Sequence, residues 1–148
     1  MTEKDFWGIL AKLDWKRTGD DEAVIAPAVR ELSRRPLADI KSFQEILAAK
    51  LHSLDGKAWA RQTGDDSYKG RGKHFSVDQF LYARCCVVAN GKEAYENVLG
   101  NPKEMPRDMD FEPLLWIAGE AHEKKTGQEF DCHPKVSYET FSNRKEWK

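Results

Sequence analysis

Cysteines and histidines are the side chains of this 148-residue chain best suited to nucleophilic or metal chemistry. Cys85 and Cys86 are adjacent within an apolar stretch. A nucleophilic cysteine needs a lowered pKa, which a helix N-terminus, a histidine or a nearby cation supplies. The middle of an apolar helix raises the pKa of a thiol instead. Both cysteines are therefore predicted to be buried packing residues.

Two short motifs contain candidate metal ligands. Residues 131–133 read Asp-Cys-His, but structural zinc sites combine paired spacings such as Cys-x-x-Cys, and the chain has no second pair. His122-Glu123 resembles half of a zinc-protease motif, yet no histidine follows four residues after His122. The sequence therefore predicts no metal site, no cofactor and no catalytic residues.

A loop is predicted over residues 62–74, QTGDDSYKGRGKH, where three glycines occur among charges of both signs. Long loops in compact proteins are often functional. The GRGKH portion has some likeness to a phosphate-binding loop and leads into a helix N-terminus, but it lacks the spacing of a P-loop. A flexible glycine-rich loop explains the same residues.

The same loop is the predicted surface for a protein partner of unknown identity. Tyrosine and arginine are enriched in interface hot spots, and charged loops steer partners and provide specificity. The residues assigned to this surface are Asp65, Asp66, Tyr68, Lys69, Arg71, Lys73 and His74.

The overall composition restricts the class of protein. Charged residues make up 33% of the chain, but 24 basic and 25 acidic side chains leave a net charge of −1. A net charge this close to zero gives a weak overall electrostatic field, which does not predict general affinity for nucleic acid or anionic membranes. We see no apolar run of the roughly 20 residues that span a bilayer and no secretory signal pattern. Three cysteines without framework spacing suit a reducing compartment, so a cytoplasmic protein without a membrane partner is expected.

Hydrophobic periodicity predicts an all-α fold of about six helices. The first helix is expected to carry Trp15 on its core-facing side, and a short turn near Lys57 is expected to place Trp59 against the core. The predicted helices cover residues 2–16, 21–34, 36–54, 75–90, 92–99 and 111–126.

The helix beginning near Phe75 is predicted to be the centre of the fold. Ser76 and Gln79 form a capping pair at its start. From Phe80 to Val88 only Arg84 is charged, so other elements should surround this helix. We expect one helical domain over residues 1–130. Residues 131–148 are expected to form an extended or partly disordered tail with frayed last residues.

The order of these motifs resembles a family of small, mostly bacterial proteins, domain-of-unknown-function family 4240. The resemblance extends to about residue 130 and implies a mainly helical single domain. It supplies no activity and no catalytic residues. The segments that carry it are 3–7 (EKDFW), 75–84 (FSVDQFLYAR), 87–91 (VVANG), 99–102 (LGNP), 111–118 (FEPLLWIA) and 121–127 (AHEKKTG).

Three classes of function remain open at this point. The favoured class is a non-enzymatic protein-binding module, such as an immunity or antitoxin-like protein that covers a bacterial toxin. The second is a small enzyme with a cleft near His74 and Arg71. The third is a nucleic-acid regulator that uses the loop cations and the basic tail residues Arg144, Lys145 and Lys148, which the near-neutral net charge disfavours.

Overall fold

The computed structural model describes residues 1–148, in which seven α-helices, four short 3-10 helices and no β-strand occur. The predicted all-α class is confirmed. None of the helices combines the length and apolarity needed to cross a bilayer. The helices are α1 (Glu3–Leu10), α2 (Asp21–Ser33), α3 (Leu37–Ser53), α4 (Lys57–Ala60), α5 (Val77–Ala89), α6 (Lys92–Gly100) and α7 (Ile117–Thr126).

The chain divides into two compact units. Unit 1 comprises residues 1–47 and 113–135, and unit 2 comprises residues 48–112 and 136–148. The division falls inside α3 and just before Pro113. It also splits the segment 131–148, which the sequence predicted as one tail, between the two units.

Unit 1 is built on α1, α2, α7 and the first part of α3. α2 packs against both α1 and α7. The rings of Phe6 and Phe43 lie 5.0 Å apart, and both side chains are fully buried. Pro27 lies inside α2 without ending it, although proline has no N–H to donate to the carbonyl of Ala23. Buried apolar residues at helical spacing thus form the interior of this unit.

The first helix is shorter than the sequence predicted. α1 ends at Leu10, and the chain continues through tight turns into a 3-10 helix, Trp15–Arg17. The amide of Asp14 donates to the carbonyl of Val24 on α2 at 2.9 Å, which draws the chain away from the axis of α1. Trp15 is consequently 40% exposed, so its predicted place in the core is wrong.

Unit 2 contains the predicted central helix, α5. From residue 80 to residue 89 only Tyr82 is not fully buried, which confirms that α5 is enclosed on nearly all sides. The Ser76 hydroxyl accepts from the amide of Gln79 at 3.1 Å, which is one of the two bonds that the predicted capping pair requires. Trp59 is buried, and its indole N–H donates to the carbonyl of Val98 at 2.8 Å. α6 packs against α5 in this unit.

The last predicted helix is divided in the structure. Residues Glu112–Trp116 form a 3-10 helix, and α7 begins only at Ile117. The amide of Phe111 donates to the carbonyl of Tyr82 on α5 at 3.0 Å, so this residue is held outside a helical ladder. Pro113 also restricts the backbone of the residue before it. Together these constraints delay the start of the α-helix.

The C-terminal segment of unit 2 is held by Asp55, which is fully buried. The Asp55 carboxylate accepts from the amide of Phe141 at 3.2 Å and from the amide of Asn143 at 2.9 Å. It also accepts from the indole N–H of Trp147 at 2.8 Å. The expected fraying is not what we find, since Arg144–Trp147 form a 3-10 helix fastened to this carboxylate.

Arg84 also holds this C-terminal segment, through bonds to Tyr138 and Thr140. The guanidinium is fully buried and donates to the carbonyls of Leu51 and Tyr138, each at 2.9 Å. It donates further to the hydroxyl of Thr140 at 3.0 Å and lies over the ring of Phe80. Burial lowers the pKa of Arg84 to about 10, which leaves the group charged at neutral pH. Two buried charged side chains thus hold the C-terminal segment together with the aromatic contacts that Phe141 and Trp147 make to Phe75.

Candidate functional site

Asp108 clamps the first half of the loop 62–74 in unit 2. Its amide donates to the carbonyl of Thr63 at 2.8 Å, and its carboxylate accepts from the amide of Asp65 at 2.9 Å. Gly64 adopts a φ of +100°, and a Cβ at this position would overlap the Asp108 carboxylate. A side chain at Gly64 is therefore disfavoured by both conformation and space. The loop has a defined path at this point.

Tyr68 anchors the middle of the loop. Its amide donates to the carbonyl of Ala60 at 2.8 Å. Its half-buried ring makes edge contacts with the rings of Phe75 and Trp147, each at a centroid distance of 5.3 Å. We predicted Tyr68 as a partner contact, but the structure places it in an intramolecular aromatic cluster. Its role in the loop is to hold the backbone against the C-terminal segment.

Lys69 also turns back onto the loop. Its ammonium donates to the carbonyl of Asp65 at 2.7 Å and to the carbonyl of Ser67 at 3.2 Å. The lysine thereby satisfies two backbone carbonyl groups of its own loop. Much of its capacity to bind a partner is thereby occupied.

The remaining basic residues of the loop, Arg71, Lys73 and His74, form what we call the cationic tip. All three side chains are exposed, and none makes a hydrogen bond or ion pair in the structure. Gly70 and Gly72, with φ values of +114° and +82°, shape the turn that presents them. The cationic tip is thus the part of the predicted surface that is open to a partner.

The two acidic loop residues belong to a different feature, a pocket of about 170 Å³. Asp65 and Asp66 line it together with Asp108 and Asp110. Asp108 and Asp110 were not predicted as site residues, because they lie far along the chain in a connection with no recognisable motif. The acidic loop residues therefore line a pocket, whereas the basic residues of the loop do not.

Neither Arg71 nor His74 lines this pocket or three larger pockets of the protein. A second pocket in unit 2, of about 350 Å³, lies along α5 and α6 and is lined by Cys86, Val87 and Val98, among others. The enzyme alternative needs a cleft at His74, and these pockets do not supply one.

The other motifs with candidate chemistry have structural partners. Cys85 and Cys86 are buried as predicted, and burial raises the pKa of each thiol. The Nδ1 atom of His122 lies 2.9 Å from the carbonyl oxygen of Gln128, to which it donates in the tautomer that carries the hydrogen on Nδ1. The side chains of His133 and Asp131 are exposed, and His133 Nε2 lies 3.1 Å from Asp131 Oδ1. Cys132 is partly exposed and lines a pocket in unit 1.

Unit 1 contains a carboxyl pair that the sequence did not indicate. Glu120 on α7 is hydrogen-bonded to Glu22 on α2. Burial, this hydrogen bond and the charge of Glu22 together raise the pKa of Glu120 to about 7. Two carboxyl groups that face each other cannot both ionise without repulsion. The pair therefore holds a proton near neutral pH.

Replacing Glu120 by glutamine is expected to flatten the pH dependence of stability. The pKa of Glu120 is about 7 in the folded chain and near 4.5 in the unfolded chain. The stabilisation that results is complete below pH 4.5 and is lost as the pH rises through about 7. Melting temperatures measured between pH 5 and pH 8 should fall with pH for the native chain and fall less for Glu120→Gln. Glu96→Gln on α6 is the control. An unchanged slope in Glu120→Gln would contradict the shared proton.

Comparison with known proteins identifies one family. Residues 1–124 match the family described as Protein of unknown function (DUF4240), in agreement with the resemblance found in the sequence. No curated protein and no solved structure matches the chain. The match covers α1 to α6 and most of α7, and it includes the whole loop 62–74.

Proposed function

We propose that this chain, which belongs to the family described as Protein of unknown function (DUF4240), is a non-enzymatic protein-binding module. It docks through the cationic tip onto an acidic surface of a protein partner. The observation that carries the proposal is the arrangement of Arg71, Lys73 and His74, which are exposed without an intramolecular partner on an otherwise anchored loop.

The anchors of the loop favour binding over random motion. Asp108 and Tyr68 attach the loop backbone at two points, through bonds of 2.8 Å to Thr63 and Ala60. A loop that is ordered before it binds loses less conformational entropy on association. The anchors therefore support affinity by reducing the conformational entropy that the loop backbone up to Tyr68 loses on binding.

Electrostatics supports a local and specific contact. The net charge of the chain is −1, so the whole molecule does not attract acidic partners. Arg71 and Lys73, two residues apart on one loop, create a positive patch, which can steer an acidic protein and set its orientation. Within this class, an immunity-like protein that covers a toxin is the more specific form of the proposal, since covering a surface needs no catalytic cleft.

The charge-reversal variant Arg71→Glu/Lys73→Glu tests the proposal. Affinity capture from the native host should retain a stoichiometric protein with the native chain and lose it with the variant. For the purified pair, calorimetry should give a dissociation constant that is weaker by at least about tenfold, since like charges then face each other. The matched control is Lys12→Glu/Lys16→Glu, which changes the net charge equally at exposed positions of unit 1.

The outcomes separate the remaining classes. Equal capture by both variants, or equal loss in both, would contradict a role for the cationic tip. A captured species that nuclease removes and that dissociates steeply with salt would favour the nucleic-acid regulator instead. Circular dichroism of each variant shows whether the fold is intact. We expect it to be unchanged, because all four substituted side chains are exposed.

A further inference from the structure

An exposed apolar patch adjoins the cationic tip in unit 2. We define the apolar patch as Phe75, Val77 and Phe141. Phe141 is 46% exposed, Val77 is 42% exposed, and Phe75 is half-buried. The rings of Phe75 and Phe141 have a centroid distance of 5.9 Å. The hydroxyl of Thr140 donates to the carbonyl of Val77 at 2.8 Å, so the C-terminal segment is held beside the start of α5.

Phe141 has a backbone conformation that is unusual for its side chain. Its φ of +76° lies in the left-handed region, which glycine and asparagine adopt at lower cost than an aromatic residue. Such conformations persist only where the surrounding contacts fix them. The Asp55 carboxylate accepts from the Phe141 amide at 3.2 Å, and the Trp147 ring lies 4.5 Å from the Phe141 ring between centroids. The fold thus holds an aromatic ring at the surface in a fixed position.

Basic side chains flank the apolar patch in both of the segments that form it. Lys73 is two residues before Phe75, so the Cα atoms of these residues are at most about 8 Å apart. Arg144 and Lys145 follow Phe141 closely, at the start of the last 3-10 helix. Both are exposed, and neither forms an ion pair in the structure. The apolar patch therefore lies between the cationic tip and a second pair of cations.

Positive charge is in excess around the apolar patch. Residues 71–78 and 139–148 contain five lysines and arginines, whereas their acids are Asp78, Glu139 and Glu146. Of these acids, Glu146 is half-buried. Opposite charges across an interface favour the correct partner, and like charges exclude wrong ones. Apolar side chains among cations are therefore complementary to an apolar side chain among acids.

We propose that the apolar patch is an anchor site, which packs against a leucine or aromatic side chain that acidic residues flank in the partner protein. This inference rests on the proposed function, because the flanking acids face Arg71 and Lys73 of the cationic tip. Apolar contacts at the centre of an interface carry much of the binding energy, whereas charges at its rim mainly guide association and set specificity. The apolar patch thus supplies affinity that the cationic tip alone does not.

Nuclear magnetic resonance titration of the isotope-labelled full chain tests this inference with synthetic probes. The anchor peptide is end-capped Glu-Asp-Leu-Phe-Asp-Glu. The serine peptide, Glu-Asp-Ser-Ser-Asp-Glu, lacks the apolar residues, and the lysine peptide, Lys-Lys-Leu-Phe-Lys-Lys, reverses the charge. The anchor peptide should bind at least about fivefold more tightly than either of the others. The amide signals that move should be those of residues 71–77 and 140–147.

Phe141→Asn removes the ring and introduces a residue that tolerates the positive φ. This variant should bind the anchor peptide at least about fivefold more weakly and the serine peptide as the native chain does. The matched control is Met109→Ser, because Met109 is 55% exposed in the same unit but lies beside Asp108 and Asp110 in the acidic pocket. It should bind the anchor peptide like the native chain. The comparison of the three peptides on the native chain needs no variant, so it decides the question even if Phe141→Asn loses stability.

The outcomes separate this inference from the proposed function. If Arg71→Glu/Lys73→Glu loses the anchor peptide while a folded Phe141→Asn binds it like the native chain, the anchor site is wrong and the cationic tip is supported. The opposite pattern supports the anchor site and contradicts the cationic tip. The inference is overturned if the serine peptide binds as tightly as the anchor peptide, or if no peptide moves these amide signals at millimolar concentration. Tighter binding of oligothymidylate to the same amides would also overturn it, since bases then stack on the rings.

Discussion

Asp55→Ala is expected to lower the free energy of unfolding by about 3–5 kcal/mol, the cost of breaking a buried charged network. The substitution removes the acceptor for the amides of Phe141 and Asn143 and for the indole N–H of Trp147. Each of these partly buried donors then lacks a partner unless the segment moves into water. It also removes the buried negative charge that favours the Arg84 cation.

Urea denaturation followed by tryptophan fluorescence measures this loss. Hydrogen exchange gives the local readout, since the amides of residues 141 and 143 should lose protection first. Glu96→Ala is the matched control, because its carboxylate is 59% exposed and pairs only with Lys92, and exposed pairs contribute about 0–1 kcal/mol. If Asp55→Ala were no more destabilising than this control, the proposed anchoring of the tail would be wrong.

Arg84→Met is expected to cost about 3 kcal/mol, somewhat less than Asp55→Ala. Methionine retains apolar volume beside Phe80, over whose ring the guanidinium lies. It cannot donate to the carbonyls of Leu51 and Tyr138. The Leu51 carbonyl still accepts from the amide of Leu54 at 3.2 Å, so the Tyr138 carbonyl is the acceptor that loses its partner. Part of the loss is offset, because a buried cation with an unpartnered Nε no longer has to be removed from water.

Arg84→Lys separates charge from geometry. Lysine keeps the positive charge, but its single ammonium cannot reproduce the separate bonds that Nη1 and Nη2 of the guanidinium make. If geometry governs the anchoring, Arg84→Lys should unfold at nearly the same urea concentration as Arg84→Met. The double variant Asp55→Ala/Arg84→Met should be destabilised by less than the sum of the single variants, because both act on one network. Strict additivity would show that the two residues hold the tail independently.

The placement of most helices could be predicted because the signals are local. Ser76 caps α5, and Gly91 follows its last turn, so both ends are marked by residues adjacent to the helix. The failures have specific causes. α1 ends early because the Asp14 amide bonds to Val24, and the last helix starts late because the Phe111 amide bonds to Tyr82. Both involve partners that no helical periodicity reveals.

The candidate sites were only partly predictable. The loop 62–74 could be recognised from its glycines and charges, and Arg71, Lys73 and His74 are exposed as a binding surface requires. Tyr68 looked equally suited to a partner, but its ring packs against Trp147, near the other end of the chain. Glu22 and Glu120 lie far apart in the sequence, and no motif predicts that their carboxyl groups meet.

Helix positions, apolar faces and the glycine turns of the loop follow from the amino-acid order, because capping, periodicity and backbone conformation depend on residues close together in the chain. The roles of Asp55 and Arg84 do not. Asp55 binds a tail residue 92 positions away, and its burial is tolerable only because three donors converge there. A polar side chain acquires its role from the partners available after it has been removed from water, and folding alone brings those partners together.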